Sequence, residues 1–385
     1  MKEEKIPTLL EMAEKITSGD LAQEEQGIRF LQYVTLLARK KRRPLSGRFE
    51  LTPMCNLDCR MCYINMNSCQ MKEEGLLPPE KWKWLADQAK ENGMMRVSLT
   101  GGECLTYPGF DEVYTYLYQQ GFMIQILSNG ILMDTKRISF LRQYPPKLIK
   151  ITLYGGSEDE YEMVTGHRQW ERICRNIRAI RDAGLPIVIV LTPNPFTKEN
   201  SNHILECVDE FCVPYSINSA LIPPRENTGR RGTFDIRNDP FIEMCKAQCA
   251  RKQVTLKPVE RTSMPDPGQT TGEIKRGLLC AAGKSTFTIL YDGKMCPCSG
   301  MDEIIVNPLK DGFRNAWEEL KAKTDACIRP AECDGCAYEM ICLGCTAIHK
   351  EAPKGHCDRR ICERTIQMVQ EGLWRKPEDW KGCIE

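Results

Sequence analysis

The chain has 385 residues, 42% hydrophobic and 27% charged, which is enough for two or three cored domains and excludes a disordered protein. Its 53 Lys and Arg oppose 52 Asp and Glu, so no net field recruits nucleic acid or an acidic membrane, and any partner is recognised locally. No stretch approaches the ~18 uninterrupted apolar residues of a membrane helix, and MKEEKIPTLLEMAEK lacks the apolar core of a signal peptide, so the chain reads as cytoplasmic.

The 21 cysteines conflict with a reducing compartment unless they bind metal, because reduced thiols build no disulfide framework. Their distribution points the same way. Cys55, Cys59 and Cys62 form one knot, and ten more lie between Cys280 and Cys362, which predicts two metal-bearing regions.

Residues 1–46 open with Leu9, Met12, Ala13 and Ile16 at helical spacing and close on a basic run, Arg39 to Arg43. They read as a short helical preamble, too short for an independent peptide-binding module. Residues 47–256 alternate short apolar runs with amphipathic helices. The predicted strands are Arg48 to Leu51, Arg96 to Leu99, Phe122 to Leu127, Leu148 to Leu153, Ile187 to Leu191 and Ser216 to Leu221. Between them, Trp82, Leu85, Ala86, Ala89 and Trp170, Ile173, Ile177, Ile180 keep helical period. Parallel neighbours need crossover helices of one hand, so these repeats predict an α/β fold, a partial (β/α)6 TIM-like barrel. The Pro-containing stretch 257–279 reads as a linker, and 280–385 as a small cysteine-rich C-terminal domain.

The first strand leads into ELTPMCNLDCRMCY, with Cys55-x3-Cys59-x2-Cys62. Loops after barrel strands form the active face, so chemistry is expected there. An iron-sulfur cube takes four ligands, and three thiolates leave one iron open. The rival is a structural zinc closed by Cys69. The second strand ends in Thr100-Gly101-Gly102-Glu103, where two glycines let the backbone approach a ligand closely and Glu103 can accept from an ammonium group.

The three-cysteine spacing followed by Gly-Gly-Glu resembles the radical S-adenosylmethionine (SAM) superfamily. The resemblance implies that Cys55, Cys59 and Cys62 hold a SAM-binding 4Fe-4S cluster. It also implies that Gly101, Gly102 and Glu103 hold the SAM amino group, and that Ser128, Asn129, Thr152 and Arg168 contact its ribose and carboxylate. In the family a proline commonly follows the glutamate; here Cys104 does.

The C-terminal region has Cys280, twelve residues, Gly293, four residues and Cys298, with Thr286 to Leu290 and Asp292-Gly293 predicting a hairpin. Cys333-x2-Cys336-x5-Cys342-x2-Cys345 follows. Paired C-x2-C units also suit a zinc ribbon. Together they resemble the SPASM domain, an extension of radical SAM enzymes with two auxiliary 4Fe-4S clusters. That resemblance assigns Cys280, Cys298 and Cys345 to one cluster, with Cys296 as an optional fourth ligand. It assigns Cys333, Cys336, Cys342 and Cys362 to the other, with Cys357 as the alternative to Cys362.

The activity implied is reductive cleavage of SAM to a 5'-deoxyadenosyl radical that modifies a ribosomally synthesised peptide or protein, an oxidoreductase-like maturase fed by a flavodoxin or ferredoxin-type donor. A sulfatase-maturing enzyme ranks second, because the aspartate base of that family is Ser299 here. A non-catalytic iron-sulfur electron carrier ranks behind both, since it leaves Gly101-Gly102-Glu103 without a purpose. The segments from Lys257 to Lys275 and Pro223 to Arg231 are candidates for substrate recruitment.

Overall fold

The computed structural model describes residues 23–64, 75–218, 221–222, 224–225, 239–253, 277–278, 280–329, 342, 345, 347 and 359–373. Cys69, Cys333, Cys336, Cys357 and the segment from Lys257 to Lys275 lie outside the described residues.

Eight strands form one sheet: β1 Ser46–Glu50, β2 Arg96–Thr100, β3 Met123–Ser128, β4 Leu148–Leu153, β5 Ile187–Leu191, β6 Tyr215–Ile217, β7 Thr286–Ile289 and β8 Met295–Cys296. Their order is β6-β5-β4-β3-β2-β1-β7-β8, with β1 to β7 parallel and β8 antiparallel to β7. The helices are α1 Gln23–Lys41, α2 Pro79–Glu91, α3 Phe110–Gln119, α4 Thr135–Gln143, α5 Glu158–Thr165, α6 Trp170–Asp182, α7 Ser201–Asp209, α8 Asp239–Arg251, α9 Pro308–Asp311, α10 Phe313–Asp325 and α11 Arg359–Gln370. This is the α/β partial-barrel architecture that the alternation of apolar runs implies.

Side chains alternate across each strand, so the two faces of the sheet carry different chemistry. Phe49, Leu99, Ile126, Ile149, Ile151 and Ile189 are fully buried on the helix-covered face. Phe49 meets Trp82 of α2 with ring centroids 5.1 Å apart. Each such side chain contributes about 1.5–3 kcal/mol. The other face presents Arg48, Ser98, Gln125 and Lys150, half-buried and polar.

Two features differ from expectation. The sixth strand stops at Ile217, short of the predicted Leu221. The C-terminal hairpin does not stand apart from the barrel. Its strand β7 pairs in register with β1, Ser46 opposite Thr286 and Phe49 opposite Ile289. The physical reason is edge satisfaction: without β7, β1 would expose a row of unpaired amide and carbonyl groups. The hairpin turn is the one expected, closed by Gly293 at φ +84°.

Candidate functional site

The loop after β1 carries the three cysteines and is fastened at several points. The amides of Asp58 and Arg60 donate to the carbonyls of Thr165 and Val164 at the end of α5, at 2.9 and 3.0 Å. The Cys62 amide donates to the Cys59 carbonyl at 3.0 Å. The Leu57 amide lies 3.4 Å from the Cys55 sulfur.

The loop after β2 is stitched to it. Gly102 N donates to Thr52 O at 2.7 Å and Glu103 N to Met54 O at 2.8 Å. A Cβ on Gly101 would lie 2.1 Å from Thr52 O, and one on Gly102 2.3 Å from Met54 O. The close approach that these glycines allow is therefore to the cysteine loop itself.

Glu103 is fully buried. Its carboxylate accepts from Leu105 N at 3.1 Å, Asn129 N at 2.7 Å and Ser128 Oγ at 3.1 Å, so it ties the end of β2 to the end of β3. Burial raises its pKa, and those hydrogen bonds pull the other way. The Asn129 amide nitrogen donates to Asn56 Oδ1 at 2.7 Å and lies 3.7 Å from the Cys55 sulfur. Cys55, Glu103, Ser128 and Asn129 thus share one site at the C-terminal edge of the sheet. Thr152 stands near the end of β4 on the polar face. Arg168 is not brought there. Its guanidinium is 55% exposed and pairs with Asp159 and Glu162 at 2.8 and 2.7 Å, because acids at the start and middle of α5 hold it at the surface.

The thiols feel one another. Burial, then Glu103, pushes the Cys55 thiol up to about 12; burial, then Cys62 and Cys55, pushes Cys59 up, while the Tyr154 hydroxyl bonds the Cys59 sulfur and favours its thiolate. Such thiols ionise at neutral pH when a cation binds them. Among the described residues no three His, Cys, Asp or Glu side chains converge as ligands of a single metal ion. Three neighbouring thiols that raise one another's pKa are the donor set of a cluster with one open iron.

In the C-terminal region, Cys298 lies close enough to Cys345 and Cys280 for both to raise its pKa, to about 11 with burial as the first cause. Cys296 also feels the Cys298 charge. It is fully buried beside the Glu50 and Arg225 charges, with its sulfur 3.3 Å from Cys298 O. Cys342 and Cys345 pack on Ile361 of α11. Cys342 and Cys245 of α8 both act on Arg364.

Sequence reasoning missed one network. Arg225 pairs with both oxygens of Glu50 at 2.9 Å each, donates to Ser299 O at 2.9 Å, and stacks 5.3 Å over the Tyr63 ring. Arg48 Nη1 donates to Ser299 Oγ at 3.0 Å. Arg225 is thereby buried inside the protein and does not serve as a surface recruiter, as its place in Pro223 to Arg231 had suggested. The sequence signal was Glu50, an acid between the apolar Phe49 and Leu51 at the end of the first strand.

The parallel partial barrel places the thiol triad in its first strand-to-helix loop, joined to the glycine-rich second loop, at the face where barrel enzymes carry their active sites. Residues 49–211 match the family model described as Radical SAM superfamily. The strands and helices from β1 to α7 thus carry the likeness to that family.

AlbA of Bacillus subtilis, a biosynthesis protein of the antilisterial bacteriocin subtilosin, is 28% identical over 151 residues, 39% of this chain and 33% of that protein. The chain thus matches about a third of that relative's length. The AdoMet-dependent heme synthase of Methanosarcina barkeri is 25% identical over 321 residues, 78% of this chain and 90% of that one. Streptococcus suis SuiB bound to its precursor peptide SuiA superposes with a TM-score of 0.62 over 89% of this chain and 82% of that one, at 17% identity, which shows a shared fold. No helix among the described residues is long and apolar enough to cross a membrane.

Proposed function

We propose that this protein reductively cleaves SAM and uses the resulting radical to modify a ribosomally synthesised peptide or protein. The observation that carries the reading is the fastening of the Gly101-Gly102-Glu103 loop onto the cysteine loop, with Gly102 N on Thr52 O at 2.7 Å and Glu103 N on Met54 O at 2.8 Å. Two motifs far apart in sequence become one site. Cys55, Cys59 and Cys62 hold a 4Fe-4S cluster there. When bound, it supplies the electron that splits SAM into methionine and a 5'-deoxyadenosyl radical.

The chain's own residues position and shield. Tyr154 and Asn129 bond the sulfurs of Cys59 and Cys55 and orient them. The Gly101-Gly102-Glu103 backbone and Asn129 line the neighbouring space for SAM, and the buried Glu103 keeps that rim rigid. Cys280, Cys298 and Cys345 serve one auxiliary cluster of a SPASM-type C-terminal domain. Cys342 and Cys362, with Cys333 and Cys336, serve the other. A flavodoxin or ferredoxin-type protein donates the electrons.

A peptide substrate is supported by the bacteriocin relative and by the fold shared with a precursor-peptide complex. A tetrapyrrole is the second reading, favoured by the heme synthase, of which the chain covers 90%. The sulfatase-maturing reading is weaker, because the hydroxyl of Ser299 is held by Arg48 and no carboxylate stands at that position.

The test is direct. Anaerobically reconstituted, dithionite-reduced protein incubated with SAM should release 5'-deoxyadenosine, and Cys55→Ala should release none. An iron-replete wild-type sample that yields no deoxyadenosine would leave an electron carrier as the better description.

A further inference from the structure

The cysteine loop rests on the end of α5. Thr165 O accepts from Asp58 N at 2.9 Å and Val164 O from Arg60 N at 3.0 Å, so the two amides flanking Cys59 are both anchored there. One turn earlier in α5, Tyr161 shares the inward face with Val164 and Thr165, and all three are fully buried. Its ring stands edge-on to Tyr154, with centroids 6.0 Å apart, and lies 6.1 Å from the ring of Trp170. Tyr154 is the residue whose hydroxyl bonds the Cys59 sulfur.

The Tyr161 ring is well packed, but its hydroxyl is not used. It is enclosed, and none of the described residues bonds it. A buried hydroxyl without an acceptor opposes folding, and phenylalanine would fill the same space without that cost. Burial, and then Cys59, raises its pKa, so the group keeps its proton at neutral pH and is available as a donor. Cys59 acts on it more strongly than Cys174 or Cys55. A neutral thiol is a weak acceptor, whereas the thiolate that holds iron is a strong one.

We infer that Tyr161 is a positioning residue for the N-terminal iron-sulfur cluster, its hydroxyl donating a hydrogen bond to the Cys59 thiolate once iron is bound. The inference rests on the proposed cluster at Cys55, Cys59 and Cys62, but not on SAM cleavage. Tyr154 after β4 and Tyr161 on α5 then hold one sulfur from two elements. Donors to a ligand sulfur retain the metal and favour the reduced cluster, whose sulfurs carry more negative charge.

Tyr161→Phe keeps the ring contacts and removes only the oxygen. The apo-protein carrying it should melt no lower than wild type, because the lost oxygen bonds nothing there. After anaerobic reconstitution the variant should lose iron to a chelator about tenfold faster than wild type. On the EPR signal that Cys55→Ala abolishes, the balance should move about tenfold towards the oxidised cluster, a fall of about 59 mV in midpoint potential. Cys174 is the rival acceptor, so the same change is also made on Cys174→Ala, where the full loss should persist.

Unchanged iron retention and potential in Tyr161→Phe would overturn the inference. A destabilised apo-protein would do the same, since the hydroxyl would then have a partner before iron binds. An effect that disappears on Cys174→Ala would overturn the assignment to Cys59. Wild type that forms this cluster yet releases no deoxyadenosine would fail the functional reading alone, because neither iron retention nor midpoint potential requires turnover.

Discussion

Burial and the neighbouring Glu103 raise the Cys55 thiol from 9.0 to about 12, which gives the cluster-free protein a defined pH signature. Between those values the unfolded chain has lost a proton that the folded chain keeps, so stability falls as pH rises. It is fully present below pH 9.0 and is lost towards pH 12. Removing this thiol with Cys55→Ala should shallow the decline between pH 9 and 11 by up to about 1.4 kcal/mol per pH unit, measured by urea unfolding of the apo-protein. Identical slopes would mean that Cys55 ionises normally. Iron uptake should show the opposite trend and increase with pH, because each thiol must release its proton to bind.

At Glu50 and Arg225 the ion pair is almost completely buried, with side chains 0% and 4% exposed. Arg225→Met strands a carboxylate in a dry interior and should destabilise by about 3–5 kcal/mol. The double variant Glu50→Leu, Arg225→Met should recover much of that loss, with both read by chemical denaturation. A double variant no better than the single one would show that the pair's partners on Ser299, not its charges, hold the region.

Elements legible from period alone were the five longer parallel strands. Ile149, Ile151 and Leu153 alternate with partly exposed neighbours along β4, as a sheet under a helix layer requires. β6 was overestimated because Ser216 to Leu221 is apolar enough to read as a strand, yet its register on β5 ends with Ile217 opposite Leu191, the last residue of β5, whose carbonyl accepts from the Asn218 amide. The loop after β2 shows how one element depends on another. Gly101 sits at φ +148° with Thr52 O in the space of a Cβ. Gly101→Ala should therefore break the contact between the two loops, lowering stability by at least about 2 kcal/mol and reducing iron bound per chain. A variant with wild-type melting and full iron content would contradict that account.

Over the whole molecule, the C-terminal hairpin completes the N-terminal sheet. Ending the chain at residue 256 should expose the edge of β1 and give aggregation by light scattering rather than a free-standing barrel. A soluble, monomeric truncated protein would show that the core needs no such cover.

The chain's order of residues determined, unaided, the parallel α/β class, the cysteine loop and the glycine-rich loop, because each is written in local period or spacing. Only the tertiary structure decided which partners the charges chose. Arg225 on Glu50, β7 on β1, and Cys298 beside Cys280 and Cys345 join residues far apart along the chain. Burial sets the strength of such contacts, and no local pattern records burial for a polar side chain.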